Sequence, residues 1–280
     1  MTFFAIVVSL LIDRFFLESD NYRRHNWFTG YSNWIARHTF AEKTFNSNLG
    51  LLLILTPLLL ITAWLQSNFE GLIFSTAILL LCLGPIDLDR QVNLLIDADD
   101  RDDLDQRNTL AEQIIGRPIP EEPQEFSRLL AESILIQACG RLFGVIFWFL
   151  LLGPLGAVLY RFTMQLKAQN ENTEASQRLL NILNWIPARL TALAYAIAGS
   201  FDDALHGWRQ HYTLINQYGN DHSAPVLAGA GMGALRLDDS HQIELPSIGI
   251  AAESALNLVW RATLIWVGIL GFAYLIKWIN

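Results

Sequence analysis

Uncharged apolar runs, each close to the length of a membrane-spanning helix, recur along this chain and constrain its fold more than any other feature. A helix needs about 20 mostly apolar residues to cross roughly 30 Å of hydrocarbon. Six segments approach that length: 2–17, 49–66, 71–86, 134–160, 186–201 and 256–279. They predict an all-α, polytopic membrane bundle of about five or six spans, with residues 1–280 forming a single integral membrane domain. The short elbow between the second and third segments predicts an antiparallel helical hairpin.

The composition supports a chain in contact with lipid. Apolar residues make up 52% of the sequence and charged residues 16%, against about 25% charged in an ordinary soluble protein. The formal net charge of −8 argues against a nucleic-acid partner, because such binding needs a basic footprint. Cys82 and Cys139 both lie in apolar runs, so neither a disulfide framework nor a zinc site has the sulfur it would need.

Basic residues suggest the orientation of the chain in the membrane. Arg23, Arg24, Arg37 and Lys43 follow the first apolar segment, and cytoplasmic loops carry an excess of Lys and Arg. The first loop is therefore expected in the cytoplasm, and counting spans places the loop 87–132 there as well. Whether 186–201 crosses the bilayer is left open, so 202–255 is either a second extramembrane segment or an interfacial one.

The segment from Ile86 to Ser133 holds most of the acidic residues. It carries thirteen acidic and five basic residues, a net charge of −8 that equals that of the whole chain. Its densest part, from Asp97 to Asp105, does not match a calcium loop, because Arg101 and Leu104 occupy positions that need an oxygen ligand and a glycine. Two interpretations remain, a solvated linker between helices and a docking surface for a basic protein partner.

Charged residues inside the apolar segments are candidate functional groups, because charges in lipid are costly and are usually paired or functional. The sequence offers seven: Asp13, Arg14, Glu132, Arg141, Arg189, Glu253 and Arg261. Asp13 is expected to pair with an arginine of another span, either Arg261 or Arg141. These charges either lock the positions of helices or line a polar ligand cavity.

Two further patterns have structural and functional interpretations. Asp202, Asp203 and His206 could offer metal ligands on one helix face. No third ligand has a suitable spacing, so a helix cap or an exposed helix end is the alternative. The glycine-rich run 228–234 lacks the lysine and hydroxyl residue of a phosphate-binding loop. Close helix packing, a turn or a small-residue membrane contact is expected there instead.

Two motifs, Gly153 to Arg161 (GPLGAVLYR) and Asn184 to Thr191 (NWIPARLT), resemble those of AmpE. AmpE is an inner-membrane protein of Gram-negative bacteria associated with the regulation of β-lactamase induction. The order of the apolar segments and of the charged loop resembles that family over essentially the whole chain. The resemblance implies a multi-pass protein of the bacterial inner membrane.

The same motifs are similar to those of the cobalamin-biosynthesis enzyme that joins an aminopropanol phosphate to adenosylcobyric acid, a membrane amide synthase that uses ATP. Glu132-Ser133 matches its acidic helix. Other residues stand where its further acidic and amide groups would be: Ile136, Gln137, Gly140, Met164, Lys167, Leu180 and Asn181. Because metal-dependent ATP chemistry needs carboxylates, this pattern favours a protein that is not an enzyme and has no catalytic residue, metal or cofactor.

The resemblance to AmpE implies a non-catalytic regulator linked to β-lactamase induction and cell-wall stress. Its expected partners are the lipid bilayer, a protein at the acidic loop and a small molecule derived from the cell wall. Four residues would line the ligand pocket: Glu132, Arg141, Arg161 and Arg189. The alternative function is a membrane-embedded, ATP-dependent amide synthase. A transporter is a third possibility, disfavoured by the lack of an internal repeat.

Overall fold

Every regular element that the computed structural model describes is a helix. The described residues are 2–15, 28, 30–32, 34–35, 48–69, 71–83, 88–168, 173–211, 223–237 and 247–279. The helices are α1 Thr2–Phe15, α2 Asn48–Asn68, α3 Leu72–Cys82, α4 Leu88–Asp100, α5 Leu104–Ile115, α6 Pro123–Ala138, α7 Gly144–Leu152, α8 Pro154–Ala168, α9 Thr173–Ala198, α10 Phe201–His211, α11 Ala224–Leu235 and α12 Ile248–Ile279. A π-helical turn, Cys139–Phe143, joins α6 to α7. The expected all-α fold is confirmed.

In the part of the chain that the structure describes, three helical segments are long and apolar enough to cross a membrane: Leu49–Asn68, Pro123–Leu152 and Ile248–Ile276. Three shorter apolar helices accompany them: Thr2–Ile12, Leu72–Cys82 and Ala224–Leu235. Their apolar surface needs hydrocarbon or protein around it, since a helix that is apolar all round is stable only when buried or in lipid. The chain is a helical membrane protein.

Contacts divide the chain into two compact units, one formed by 1–86 and 144–184 and the other by 87–143 and 185–280. In the first unit, α3 packs on α1, α7 and α8, while α2 makes its main contact with α8. The antiparallel hairpin of α2 and α3 expected from their short connection is therefore not the principal packing of these helices. A short loop sets the distance between two helix ends, but it does not decide which apolar faces meet.

The apolar run 134–160 is not one continuous helix. The helical segment that contains its first part begins at Pro123 and ends at Leu152. Gly153 follows with a φ of +66°, a left-handed conformation that glycine adopts without steric cost and that ends a helix. Pro154 then begins α8, where its missing N–H is not needed. The apolar run 134–160 is therefore divided between two helices at the Gly153-Pro154 pair.

The segment 186–201 also has different bounds from those expected. It forms the second half of α9, which begins at Thr173 and ends at Ala198, and Phe201 already belongs to α10. Exposed apolar side chains recur along one side of α9: Ile182, Ile186, Leu190, Leu193 and Ile197. Whether this helix crosses the bilayer, and hence on which side 202–255 lies, stays a prediction.

The acidic segment folds into a pair of helices, Leu88–Asp100 and Leu104–Ile115. We call α4 and α5 together, Leu88–Ile115, the acidic hairpin. The Asp103 side chain caps α5 by accepting a hydrogen bond from the Gln106 amide at 3.1 Å, and Gly116 ends it in the left-handed conformation, with a φ of +74°. One face of α4 is buried, at Leu88, Gln91, Val92, Leu95 and Ala98, so the hairpin packs as part of the protein.

The acidic hairpin holds α12 by two hydrogen bonds that its carboxylates accept. Asp89 Oδ1 accepts from the indole Nε1 of Trp260 at 2.7 Å, and Asp99 Oδ2 accepts from the backbone N of Gly249 at 3.1 Å. Gly249 lies in the first turn of α12, where backbone N–H groups have no partner within the helix, so Asp99 caps a helix distant in sequence. Arg107 Nη1 lies 3.1 Å from Asp99 Oδ1 and fixes that carboxylate.

Replacing Trp260 with phenylalanine should lower the stability of this contact, because the ring remains while the donor to Asp89 is lost. A hydrogen bond to a charged group contributes about 1.5 to 3 kcal/mol, so we expect a melting temperature lower by several degrees. Circular dichroism of the protein in detergent measures this. The matched control is Trp64→Phe, whose ring is 63% exposed and should leave the melting temperature unchanged. Equal melting temperatures for the two variants would contradict the assigned role of Trp260.

Helices α10 and α11 pack closely enough that their backbones touch. A Cβ atom placed on Gly207 would lie 2.2 Å from the carbonyl oxygen of Gly229, and one on Gly233 would lie 2.2 Å from the carbonyl oxygen of Asp203. Every residue from Ala224 to Ala234 is buried. Of the alternatives for the glycine-rich run, the structure shows close helix packing.

Candidate functional site

Glu132 and Arg161 are the charged side chains that are buried in the part of the chain the structure describes, with 8% and 7% of their surface exposed. Both lie on helices of largely apolar sequence, α6 and α8. Placing a charge in such surroundings costs free energy, and residues that retain one inside a membrane protein are commonly part of a ligand or ion site. The two residues belong to different units, and each has its own neighbours.

Glu132 lies on the helix that begins at Pro123, two turns before the π-helical turn. Its Oε1 accepts a hydrogen bond from Arg128 Nε at 3.1 Å, an i to i+4 contact. The Arg128 side chain is 29% exposed and that of Glu132 is 10% exposed, so the pair extends from the interior toward the surface of the unit. The arginine gives the buried carboxylate a charged partner, which offsets part of the cost of removing it from water.

The π-helical turn Cys139–Phe143 orients Arg141. Arg141 Nη1 donates to Gln91 Oε1 of the acidic hairpin at 2.8 Å, and Gln91 Nε2 lies 3.5 Å from Gln113 Oε1. Buried Tyr195 donates through its hydroxyl to the Leu135 carbonyl at 2.9 Å, just before the turn. Single π-helical turns occur frequently at functional sites, and this one places a partly buried guanidinium against Gln91 of the acidic hairpin.

Arg189 folds back along its own helix. Its guanidinium lies over the Trp185 ring, 4.1 Å from the ring centroid, and Nη1 donates to the Trp185 carbonyl at 2.8 Å. A cation over an indole ring is attracted by the ring electrons. Trp185 is itself exposed. This arrangement is also typical of a tryptophan and arginine pair at the boundary between lipid and water.

Within the first unit, the first residue of the second motif contacts the first motif. Tyr160, from the first motif, donates its hydroxyl to Asn184 Oδ1 of the second at 2.6 Å, and Trp148 Nε1 donates to the Leu183 carbonyl at 3.0 Å. The Tyr160 ring fills the space where a Cβ on Gly144 would lie. Arg161 follows Tyr160 on α8, so the motif contact fixes the helix that carries this buried cation.

The four residues expected to line one ligand pocket are therefore distributed between two units. Glu132, Arg141 and Arg189 lie in the second unit and Arg161 in the first. Glu132 and Arg141 are nine residues apart on one helical segment, a rise of about 13 Å. A pocket shared by all four remains a prediction.

The expected pair of Asp13 and Arg261 is also not tested. Asp13 lies on α1, and its side chain lies outside the described part. Arg261 is exposed, and its Nε lies 3.4 Å from the carbonyl oxygen of Asn257 on the same helix.

The structure gives Asp203 a structural role at the start of α10. Asp203 Oδ2 accepts from Ser200 Oγ at 2.5 Å and from Arg236 Nε at 2.8 Å, which joins the beginning of α10 to the end of α11. Both contacts are made by side chains, and the helix-cap interpretation of the Asp202, Asp203 and His206 cluster stays a prediction. Across all the residues described, no group of three or more His, Cys, Asp or Glu side chains is arranged to hold a metal ion.

Sequence reasoning did not single out Arg128 and Gln91. Arg128 lies in a segment with many other charged residues and did not stand out among them. Its i to i+4 spacing from Glu132 is nevertheless a recognisable signal for a helical ion pair. Gln91 carries a weaker signal, as a polar residue on the apolar face formed by Leu88, Val92 and Leu95. Its contact with Arg141, fifty residues away in the sequence, has no signature in either segment.

Comparisons with known proteins identify relatives over most of the chain. A family model described as CobD/Cbib protein matches residues 6–241. The Cobalamin biosynthesis protein CobD of Stutzerimonas stutzeri (strain A1501) is 30% identical over 244 residues, 79% of this chain and 79% of that protein. The protein of the same name from Chromobacterium violaceum is 34% identical over 198 residues, 65% of this chain and 61% of its own length. No solved structure is detectably similar.

The Protein AmpE of Shigella flexneri is a more distant relative, 22% identical over 229 residues, 74% of this chain and 78% of that protein. The expectation that this chain is a member of the AmpE family is therefore corrected, since the stronger similarity is to the cobalamin-biosynthesis proteins. The similarity to those proteins, which the shared motifs also suggested, is confirmed. On this similarity, and on the family match to residues 6–241, the chain belongs to the CobD/CbiB protein family.

Proposed function

We propose that this chain acts in cobalamin biosynthesis as a membrane-embedded amide synthase of the bacterial inner membrane. The observation that carries the proposal is the buried Glu132, which lies in apolar surroundings at a position matching the acidic helix of the resembled synthase. The relatives named for cobalamin biosynthesis support the pathway. The expectation of a protein that is not an enzyme finds no support in this family membership.

The chain would contribute binding, orientation and proton transfer. Amide formation joins an amine nitrogen to a carboxyl carbon. The amine must lose a proton, and the displaced carboxyl oxygen would leave with the phosphoryl group that ATP supplies. Glu132, fixed by Arg128, is placed to hold the amine and to accept that proton. Arg141 and Arg189 supply permanent positive charge for phosphate groups, which arginine binds well through its planar array of donors.

The resemblance to the synthase implies magnesium and ATP. Among the described residues, no cluster of carboxylates is arranged to bind them. Ile136, Gly140 and Leu180 stand at positions where acidic residues of that enzyme would be, and none of these side chains can bind a cation. We therefore assign no step of the reaction to a metal held by these residues.

Complementation tests the proposal. The chain is expressed in a bacterium that lacks its own CobD protein and is grown where cobalamin is essential. We expect growth without added cobalamin or cobinamide phosphate, together with amide product when purified protein is given adenosylcobyric acid, aminopropanol phosphate, ATP and magnesium. Failure of both assays, with the chain present in the membrane at normal levels, would overturn the proposal.

A second candidate function is the regulation of β-lactamase induction. The observation that favours it is the similarity to the Protein AmpE of Shigella flexneri over 74% of this chain, together with the residues that replace the carboxylates of the synthase. Deleting the gene in its native host separates the two. A change in inducible β-lactamase with unchanged corrinoid content would support the regulator, and the converse would support the synthase.

A further inference from the structure

The surface of α12 changes character along its length. Between Ile248 and Arg261 one face of the helix is buried, and the exposed line consists of Ile250, Glu253, Asn257 and Arg261. Three of these four residues are polar and they follow one another at intervals of three or four, so they lie on one side. This half of the helix is suited to water on its exposed side.

Beyond Arg261 the exposed surface becomes apolar. Leu264 and Phe272 are 68% and 67% exposed, and Ile269, Leu275 and Ile276 are also exposed. From Val267 to Ile276 no residue is buried in the protein. A helix that is apolar on all sides and has no protein around it is stable in hydrocarbon and not in water.

The length of this part fits a bilayer. Arg261 and Lys277 bracket the apolar residues 262–276, which rise by about 22 Å. That is somewhat less than the thickness of a typical hydrocarbon core, but long basic side chains at both ends can extend to the interface and make up the difference. Trp260 and Trp278 stand next to these two basic residues, at positions where indole rings favour the headgroup layer.

The acidic hairpin follows the polar half of α12. Its two hydrogen bonds pair Asp89 with Trp260 and Asp99 with Gly249. The contacts are ten residues apart on α4 and eleven apart on α12, about 15 and 16 Å of rise, so the helices run antiparallel along that whole distance. Asp89 therefore lies level with Trp260, and the acidic turn around Asp102 lies at least about 15 Å farther from the apolar part of α12.

We infer that the bilayer boundary crosses α12 between Arg261 and Leu264. Residues 264–276 lie in hydrocarbon, and residues 248–261 form a stalk outside it that the acidic hairpin covers. Lipid covers the exposed apolar surface around Leu264 and Phe272. This inference is independent of the proposed enzyme activity, since it rests on exposure, residue type and helix pairing alone.

Spin labelling of the full chain in liposomes tests the boundary. Single cysteines are introduced as Asn257→Cys, Leu264→Cys and Phe272→Cys in a protein with Cys82→Ser and Cys139→Ser. Electron paramagnetic resonance then measures collisions of each label with oxygen, which concentrates in lipid, and with a water-soluble nickel chelate. We expect high nickel accessibility at 257, and at 264 and 272 high oxygen accessibility with a nickel accessibility that is several-fold lower.

Three other outcomes would overturn the inference. High nickel accessibility at 264 or 272 would place those residues in water. Low accessibility to both reagents would mean that protein, such as a second copy of this chain, covers them. High oxygen with low nickel accessibility at 257 would move the boundary toward the beginning of the helix. Should the cysteine-free protein fail to fold, the wild-type background serves, because both native thiols are buried.

Discussion

Replacing Glu132 with glutamine should reduce growth without added cobalamin, and amide formation by the purified protein, by about 100-fold or more. This is the usual range for a lost proton acceptor. Glutamine has nearly the same shape and can still accept the hydrogen bond from Arg128, but it has no negative charge and cannot take a proton. The stability cost should be small, about 1 to 2 kcal/mol, because Arg128 is 29% exposed and remains partly solvated. The amount of protein in the membrane should therefore stay close to normal.

The control for this variant is Glu174→Gln. Glu174 also forms an i to i+4 ion pair, with Arg178 at 2.9 Å, but its side chain is 81% exposed, and exposed pairs contribute little. Growth and activity should stay at the wild-type level. Wild-type activity of both variants at equal membrane levels would remove Glu132 from the proposed site. An equal loss of activity in both would also contradict its specific role, because it would point to a general requirement for charge.

Replacing Gly207 with alanine should lower the stability of the protein strongly, because two helix backbones meet at this residue. Its Cβ would lie 2.2 Å from the carbonyl oxygen of Gly229, which belongs to the backbone of α11 and cannot move aside as a flexible side chain can. Helices α10 and α11 would have to separate, and that would disturb the contact of Trp208 with the cluster of Ala192, Val226 and Ala230. Overpacking of this kind costs about 3 kcal/mol or more.

We expect a melting temperature about 10 °C lower for Gly207→Ala, measured by circular dichroism in detergent. Gly268→Ala on α12 is the matched control, because no atom lies within 4 Å of its Cβ position. Alanine is the better helix former there, by about 1 kcal/mol, so its melting temperature should be unchanged or slightly higher. A normal melting temperature for Gly207→Ala would show that the two helices are not in backbone contact.

Apolar runs predicted helices well, and they located helix ends poorly. The run 49–66 corresponds closely to α2, since a long uncharged segment has few alternatives in lipid. The run 134–160 stands as one apolar segment in the sequence, because hydropathy does not report the left-handed conformation of Gly153. In the acidic segment, the large number of carboxylates obscured the helical spacing of Leu88, Val92 and Leu95, which forms the buried face of α4.

The candidate site was predictable only in part, because most of its contacts join distant parts of the sequence. Glu132 stood out as a charge within an apolar region, and its burial agrees with that signal. The partners that orient the other groups, such as Gln91 for Arg141 and Asn184 for Tyr160, lie 50 and 24 residues away. Such pairs depend on which helix faces meet, and no single segment encodes that choice.

The pairing of Asp89 with Trp260, 171 residues apart, has a consequence for biogenesis. The ribosome delivers the acidic hairpin long before α12 is synthesised, so during translation the hairpin must persist without the helix that it will later hold. The Asp103 cap at the beginning of α5 and Gly116 at its end stabilise the hairpin locally until α12 is made. Its exposed carboxylates keep it soluble. Assembly of the second unit is therefore completed after translation of α12, when that helix enters the bilayer and the hairpin closes on it.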